Sequence, residues 1–153
     1  MIEQLDFKID VELVKSEIKK GISIDYVDQI LLQTVKGKDP FYGSRSGNEI
    51  EEDEFQFCEF FWPEMTYTNS ILERFGLVRS RIMNLKSKTC LSYHEDPTPR
   101  FHMPIITNES CFLIIDKKVH HLPVGKCYII DSTLPHTAVN ASFEDRLHII
   151  GSL

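Results

Sequence analysis

The chain has 153 residues, of which 42% are hydrophobic and 26% charged, and a formal net charge of −6 at pH 7. That length fits a single domain, residues 1–153, able to bury roughly 68–70% of its unfolded surface without disulfides or metals as staples. The acidic balance, with no basic patch, argues against a nucleic-acid partner. No run approaches the ~18 apolar residues that cross a bilayer.

The opening MIEQLDFKID carries charges where a secretory signal would be apolar, so the expectation is a cytoplasmic protein with no membrane partner. The four cysteines, Cys58, Cys90, Cys111 and Cys127, have no C-x-x-C spacing. Each sits in an apolar, strand-like stretch, so they read as reduced core residues.

Residues 1–76 read as mainly helical support and loop. Asp10 to Lys20 predicts a short helix with Val11, Leu13, Val14 and Ile18, broken at Gly21. Ser23 to Val35 predicts a second, with Ile24, Val27, Ile30, Leu31 and Val35 on one side. Residues 36–53 are polar and rich in Gly and Pro, a long loop that could serve as a lid carrying Phe41, Tyr42 and Arg45. The acidic run Glu49 to Glu54 reads as solvated. Phe55 to Phe61 predicts a strand, and Thr68 to Phe75 a helix capped by Thr66 or Thr68 and stopped at Gly76.

Beyond Gly76 the pattern changes to eight short strands: Leu77–Leu85, Lys88–Tyr93, Arg100–Thr107, Cys111–Asp116, Lys118–Leu122, Lys126–Asp131, His136–Asn140 and Arg146–Gly151. Turns are expected at Asp116-Lys117-Lys118, Pro123-Val124-Gly125 and Asn140-Ala141-Ser142. The fold expected is mainly β with flanking helices, a jelly roll (double-stranded β-helix, cupin-like) over residues 77–151.

Two of the six histidines carry a pattern. His94-Glu95-Asp96 is an H-x-D triplet at a predicted strand end, where side chains two apart share a face. His136 follows 40 residues beyond Asp96. Two imidazoles and a carboxylate on one face of a metal leave the opposite positions open, the facial triad of non-haem iron(II) oxygenases. Arg146, ten residues after His136, is expected one strand over, across a hairpin with its turn at residues 141–144. There its guanidinium could reach the far carboxylate of a small metal-bound dicarboxylate such as 2-oxoglutarate. A salt bridge from Arg146 to Glu144 or Asp145 is the plainer alternative. Arg100 and His102 share the parity of His94 and Asp96 and face opposite to Phe101, Met103 and Ile105. Buried, they need polar or anionic partners. Arg79, Arg81 and Arg100 at the expected mouth point to a carboxylate-bearing substrate.

The segments YHEDPTPRFHMPIIT (93–107) and VGKCYIIDSTLPHTAVNASFEDRLHII (124–150) resemble the aspartyl/asparaginyl β-hydroxylase family, to which bacterial cis-proline hydroxylases are also similar. The resembling elements run in order: H-x-D, R-x-H-x-P, an Ile-Asp pair before the second His, H-x-x-x-N, then Arg. The resemblance implies a dioxygenase that uses Fe(II), 2-oxoglutarate and O₂ and releases succinate and CO₂. It implies His94, Asp96 and His136 as iron ligands and Arg146 on the distal carboxylate of 2-oxoglutarate. Arg100, His102 and Arg81 would lie around the cosubstrate and substrate, and Asn140 would have a turn or supporting role. The substrate implied is an amino acid or a peptidyl amino-acid residue. Two other readings stay open: a metal-binding jelly-roll module with no catalysis, and a cupin-type enzyme that does not use 2-oxoglutarate.

Overall fold

The structure is a computed structural model that describes residues 1–45 and 50–153; Ser46 to Glu49, within the predicted 36–53 loop and at the start of the predicted acidic run, lie outside the described residues. The chain runs β1 (Ile2–Lys8), α1 (Val11–Gly21), β2 (Gln29–Leu31), β3 (Gln33–Thr34), a 3₁₀ turn (Glu54–Gln56), β4 (Glu59–Phe60) and α2 (Thr66–Arg74). It continues through β5 (Val78–Leu85), β6 (Thr89–Cys90), β7 (Arg100–Ile106), β8 (Cys111–Ile115), β9 (Lys118–His120), β10 (Lys126–Ile130), β11 (His136–Asn140) and β12 (Arg146–Ser152). A six-stranded sheet, in the order β1-β10-β7-β12-β5-β2, and a four-stranded sheet, β6-β11-β8-β9, form the predicted jelly roll. All pairings within them are antiparallel.

Strand alternation divides the six-stranded sheet into two faces. Phe101, Met103 and Ile105 of β7, with Ile82 and Ile149 opposite each other on β5 and β12, join Val14, Ile71 and Leu72 of the helices in the main core. The opposite face of β7 and β12 carries Arg100, His102, Arg146 and His148, all buried. Six of the seven β7 residues are therefore buried: one set against helices, the other inside the roll. The four-stranded sheet has no helical cover; on β8, buried Cys111, Leu113 and Ile115 alternate with half-exposed Phe112 and Ile114. Leu113, Ile115, Leu122, Tyr128 and Ile130 form a second apolar cluster.

The helices are tied together by a side chain. Asp10 caps α1, accepting from the Leu13 N–H at 3.1 Å. Glu17 of α1 accepts from the N–H groups of Tyr67 (2.9 Å) and Thr68 (2.7 Å), satisfying the start of α2 from outside. The cap expected from Thr66 or Thr68 is thus supplied by a neighbouring helix.

Several expectations for the N-terminal half are corrected. Residues 1–76 are not mainly helical: they contain two helices and four strands. Ser23–Val35 is not a helix. Ile24 and Val27, two of the five residues of its supposed apolar stripe, are exposed, whereas Ile30, Leu31, Leu32, Gln33 and Thr34 are buried consecutively, as a strand enclosed on both sides requires. β2 pairs with β5 and β3 pairs with β4. The predicted Phe55–Phe61 strand is reduced to β4, because Asp53 and Gln56 form a reciprocal capping box that fixes the 3₁₀ turn. β1 escaped prediction because its register slips between Gln4 and Lys8, which breaks the period-two pattern. Cys111 and Cys127 are buried as expected, but Cys58 and Cys90 are exposed; all four are free thiols.

The Asp116-Lys117 turn joins β8 to β9 with both residues at positive φ (46° and 64°), the hairpin geometry that matches strand twist. Among the described residues no helix is long and apolar enough to cross a membrane.

Phe101 is fully buried and packs 5.0 Å from Phe75 between the sheet and the helices. Phe101→Ala is expected to lower stability by about 3–5 kcal/mol, read as a reduced urea midpoint with an unchanged slope.

Candidate metal centre

β6 ends at Cys90, and the chain then crosses the open end of the roll. His94 is not in a strand, as the sequence suggested, but forms an isolated antiparallel bridge with His136 at the start of β11. The two residues exchange both backbone bonds: His94 N–H to His136 O at 3.0 Å, and His136 N–H to His94 O at 2.8 Å. This pairing sets the imidazoles side by side, with ring centroids 4.4 Å apart. Asp96 is fixed in turn by its N–H donating to Ser132 O at 2.8 Å.

Both imidazoles are oriented from behind. Nδ1 of His94 donates to Ser92 O at 2.7 Å, and Nδ1 of His136 to Leu134 O at 2.9 Å. In the neutral ring the proton is thereby kept on Nδ1 and the lone pair on Nε2, the tautomer a metal requires. Nε2 of His94 lies 3.8 Å from Asp96 Oδ1, and Nε2 of His136 lies 3.5 Å from Asp96 Oδ2. One donor atom from each of the three residues falls within 4.8 Å of the others. Donors that share one ion at about 2.1 Å sit about 3–4 Å apart, so the set fits a divalent metal.

Burial of Asp96 opposes its ionisation, but the hydrogen bond with His136 and the charges of Arg100 and the two histidines outweigh it and hold its pKa down to about 2. Burial lowers the pKa of His136, yet its bonds to Asp96 and Leu134 O prevail and raise it.

A cavity of about 380 Å³ opens onto this cluster and is lined by all seven residues singled out in the sequence: Arg81, His94, Asp96, Arg100, His102, His136 and Arg146. Their situations differ. Arg146 is buried, its Nε has no hydrogen-bond partner, and among the described residues no carboxylate pairs with it. It does not lie one strand over from His136. β12 belongs to the opposite sheet, so residues 141–145 cross the roll and Arg146 faces the metal cluster from the other wall. The alternative salt bridge is absent: Asp145 is engaged by Lys86 and by the Ser87 N–H.

Asn140 organises the crossing. Its Nδ2 donates to Leu85 O and Glu144 O, and its Oδ1 accepts from the Ser142 N–H and hydroxyl. This is the turn role the resemblance implied, and it delivers Arg146 to the cavity.

Arg81, half-buried, spends one N–H on Arg79 O at 3.2 Å, and its Nε is unpartnered. Burial and the neighbouring charges of Arg100 and Arg79 push its pKa down to about 9. Arg100, by contrast, has carboxylate partners. It pairs with Glu54 at 2.9 Å, donates to Thr98 Oγ1 (2.7 Å) and Ser152 Oγ (2.8 Å), and sets its Nε 3.2 Å from Asp96 Oδ2. That last contact is off the donor line, an electrostatic contact and not a hydrogen bond. His102 meets His148 with 3.3 Å between their Nδ1 atoms. Burial, then the charges of Arg146 and Arg81, push His102 down to about 3, so the pair is neutral.

Sequence reasoning missed three participants. Glu54 lies at the end of a run read as solvated, yet its side chain is only 13% exposed and pairs with both Arg79 and Arg100. Thr98 and Ser152 complete the same network. Only the long-range fold joins these residues, and no local spacing betrays them.

Solved structures share this fold. An oxidoreductase of the 2OG-Fe(II) oxygenase family from Burkholderia pseudomallei superposes with a TM-score of 0.64 over 99% of this chain and 82% of that one, at 9% identity. The chain itself belongs to the aspartyl/asparaginyl β-hydroxylase family, whose sequence profile matches residues 58–153. It is 28% identical over 96 residues to the L-proline cis-4-hydroxylase of Rhizobium meliloti (strain 1021), covering 56% of this chain and 34% of that protein. The chain thus spans about a third of the length of that curated relative.

The ionised Asp96 stabilises the fold above its ordinary pKa of 3.8, and the contribution is lost as pH falls toward 2. It corresponds to about 2 kcal/mol. Acid titration of the metal-free protein is expected to show this loss between pH 4 and 2 by chemical denaturation, and Asp96→Asn is expected to flatten that interval.

Proposed function

We propose that this chain is an Fe(II)- and 2-oxoglutarate-dependent dioxygenase that hydroxylates an amino acid or an amino-acid residue and releases succinate and CO₂. The observation that carries the reading is one cavity holding both a His-Asp-His cluster and, from the opposite wall, a buried arginine with no carboxylate partner among the described residues. Family membership and the oxygenase fold support it.

His94, Asp96 and His136 would hold the iron, with Ser92 O and Leu134 O keeping each Nε2 deprotonated and aimed. Iron(II) bound there supplies the activation of O₂, coupled to oxidative decarboxylation of 2-oxoglutarate, that lets an unactivated C–H bond be oxidised. Arg146 binds the far carboxylate of 2-oxoglutarate, a charge-assisted pair made strong by burial. His102, neutral beside Arg146, contributes hydrogen bonding without adding a further cation. Arg81 has no carboxylate partner among the described residues and lines the same cavity, so it is the cation best placed for a substrate carboxylate. Arg100, expected from the sequence at this task, already has its charge paired with Glu54 and Asp96.

Succinate formation from 2-oxoglutarate, measured with Fe(II) and a panel of amino acids and peptides, tests the reading. Turnover is expected to require O₂, to vanish in Asp96→Ala, and in Arg146→Ala to show a KM for 2-oxoglutarate raised about 10- to 100-fold. Metal binding without O₂-dependent turnover, or turnover indifferent to Arg146→Ala, would replace the enzyme with a metal-bearing jelly-roll module or a cupin-type enzyme that uses no 2-oxoglutarate.

A further inference from the structure

Asp96 is the one charged member of the metal cluster, and its position is not secured by its own backbone alone. Its Oδ2 sits 3.2 Å from Arg100 Nε. Left to itself, a buried guanidinium at that distance would draw the carboxylate into a full ion pair and compete with the metal for the same oxygen. Arg100 meets Asp96 through Nε alone, because its two Nη groups are turned to Glu54, Thr98 and Ser152. Glu54 Oε2 accepts from Arg100 Nη1 at 3.1 Å, and Glu54 Oε1 lies 2.9 Å from Arg100 Nη2 in the same ion pair.

Thr98 locks the pair, donating its hydroxyl to Glu54 Oε2 at 3.1 Å while accepting from Arg100 Nη1 at 2.7 Å. Glu54 is itself fixed on its other side by Arg79, which pairs with Oε1 at 3.0 Å. Arg79 reaches it from left-handed backbone (φ 49°), where Arg79 and Ser80 of β5 stand against the single Gly151 of β12. A bulge re-aims a side chain in this way.

We infer that Glu54 is a positioning residue for the metal centre: through Arg100 and Thr98 it sets where Asp96 stands and keeps Arg100's charge from weakening Asp96 as a ligand. The inference rests on the proposed metal site and goes beyond it. It also assigns a task to the segment preceding β4, which reaches the centre through this carboxylate, carried on a 3₁₀ turn that Asp53 and Gln56 pin in place. A merely structural role would have Glu54 hold that turn to the sheet without affecting the metal.

Co(II) binding to the intact protein, followed by titration and by the visible bands of the bound ion, separates the two roles. Glu54→Gln keeps the shape and removes the charge; it is expected to weaken Co(II) binding about tenfold and to shift the bands, as loss of a supporting partner behind a ligand does. Thr98→Val changes no charge and removes the hydroxyl that bridges Glu54 and Arg100, leaving their direct pair without its brace. It is expected to shift the bands in the same sense and to weaken binding several-fold, which isolates positioning from net charge. Should Glu54→Gln fail to fold by circular dichroism, Thr98→Val decides.

Variants that lose thermal stability but bind Co(II) with unchanged affinity and spectrum would overturn the inference and leave the metal centre intact. A wild-type protein that binds no Co(II) would overturn the metal centre and the inference with it.

Discussion

The constraint from which the rest follows is the charge inside the roll. Arg79, Arg81, Arg100 and Arg146 surround one cavity, and the carboxylates within ion-pair distance of them are Glu54 and Asp96. Buried cations without counter-charges are costly, and a divalent metal on the His-Asp-His cluster adds to the excess. A fold that tolerates this arrangement is one whose bound state is anionic. On the proposed function, a dianionic cosubstrate and a substrate carboxylate would together offset what the protein leaves uncompensated. The same logic sorts the arginines: Arg79 and Arg100 have found Glu54, while Arg146 and Arg81 have not.

The architecture delivers these groups by irregularities in otherwise regular strands. The bulge opposite Gly151 turns Arg79 toward Glu54, and there is no room for a larger residue at that point, since a Cβ on Gly151 would lie 2.8 Å from Ser80 Oγ and 3.0 Å from Leu77. Asn140 fastens the crossing from β11 to β12 with four hydrogen bonds, so His136 and Arg146 stay on opposite walls of the cavity. Stability is concentrated elsewhere, in the helix-covered face around Phe101. The cavity face can therefore remain polar and strained without undoing the fold.

This division also explains which features could be read from the sequence. After Gly76 the strands alternate cleanly and their turns carry the expected residues, so the eight strands, their parity and the inward placement of Arg100, His102 and Arg146 were legible. H-x-D and the distal His were legible as a motif, though the reason they meet, a single two-way bridge between His94 and His136, was not. Before Gly76 the information is tertiary. β1 and β2 are edge strands whose pattern makes sense only against β10 and β5. A run such as Ile30-Leu31-Leu32 has no period of its own. Glu54 was hidden for the same reason: in a stretch of six residues with five acids, nothing local marks the one that is buried.

The four buried or half-buried histidines inside the roll show how the surroundings choose a metal site. His94 with His136 and His102 with His148 are both close pairs, and either could in principle offer nitrogen ligands. Beside the first pair stands Asp96, which raises the proton affinity of His136 and would equally favour a metal cation. Beside the second stands Arg146, with Arg81 near His102, and burial first, then the charge of Arg146, drives both His102 and His148 well below the ordinary imidazole range. A field that rejects a proton so strongly rejects a divalent cation more strongly still. The deep pair is therefore confined to neutral hydrogen bonding, one Nδ1 donating to the other. Cation and anion sites in this cavity are separated by which charged neighbour each histidine pair was given, and the motif-bearing pair is the one that the electrostatics leaves open to a metal.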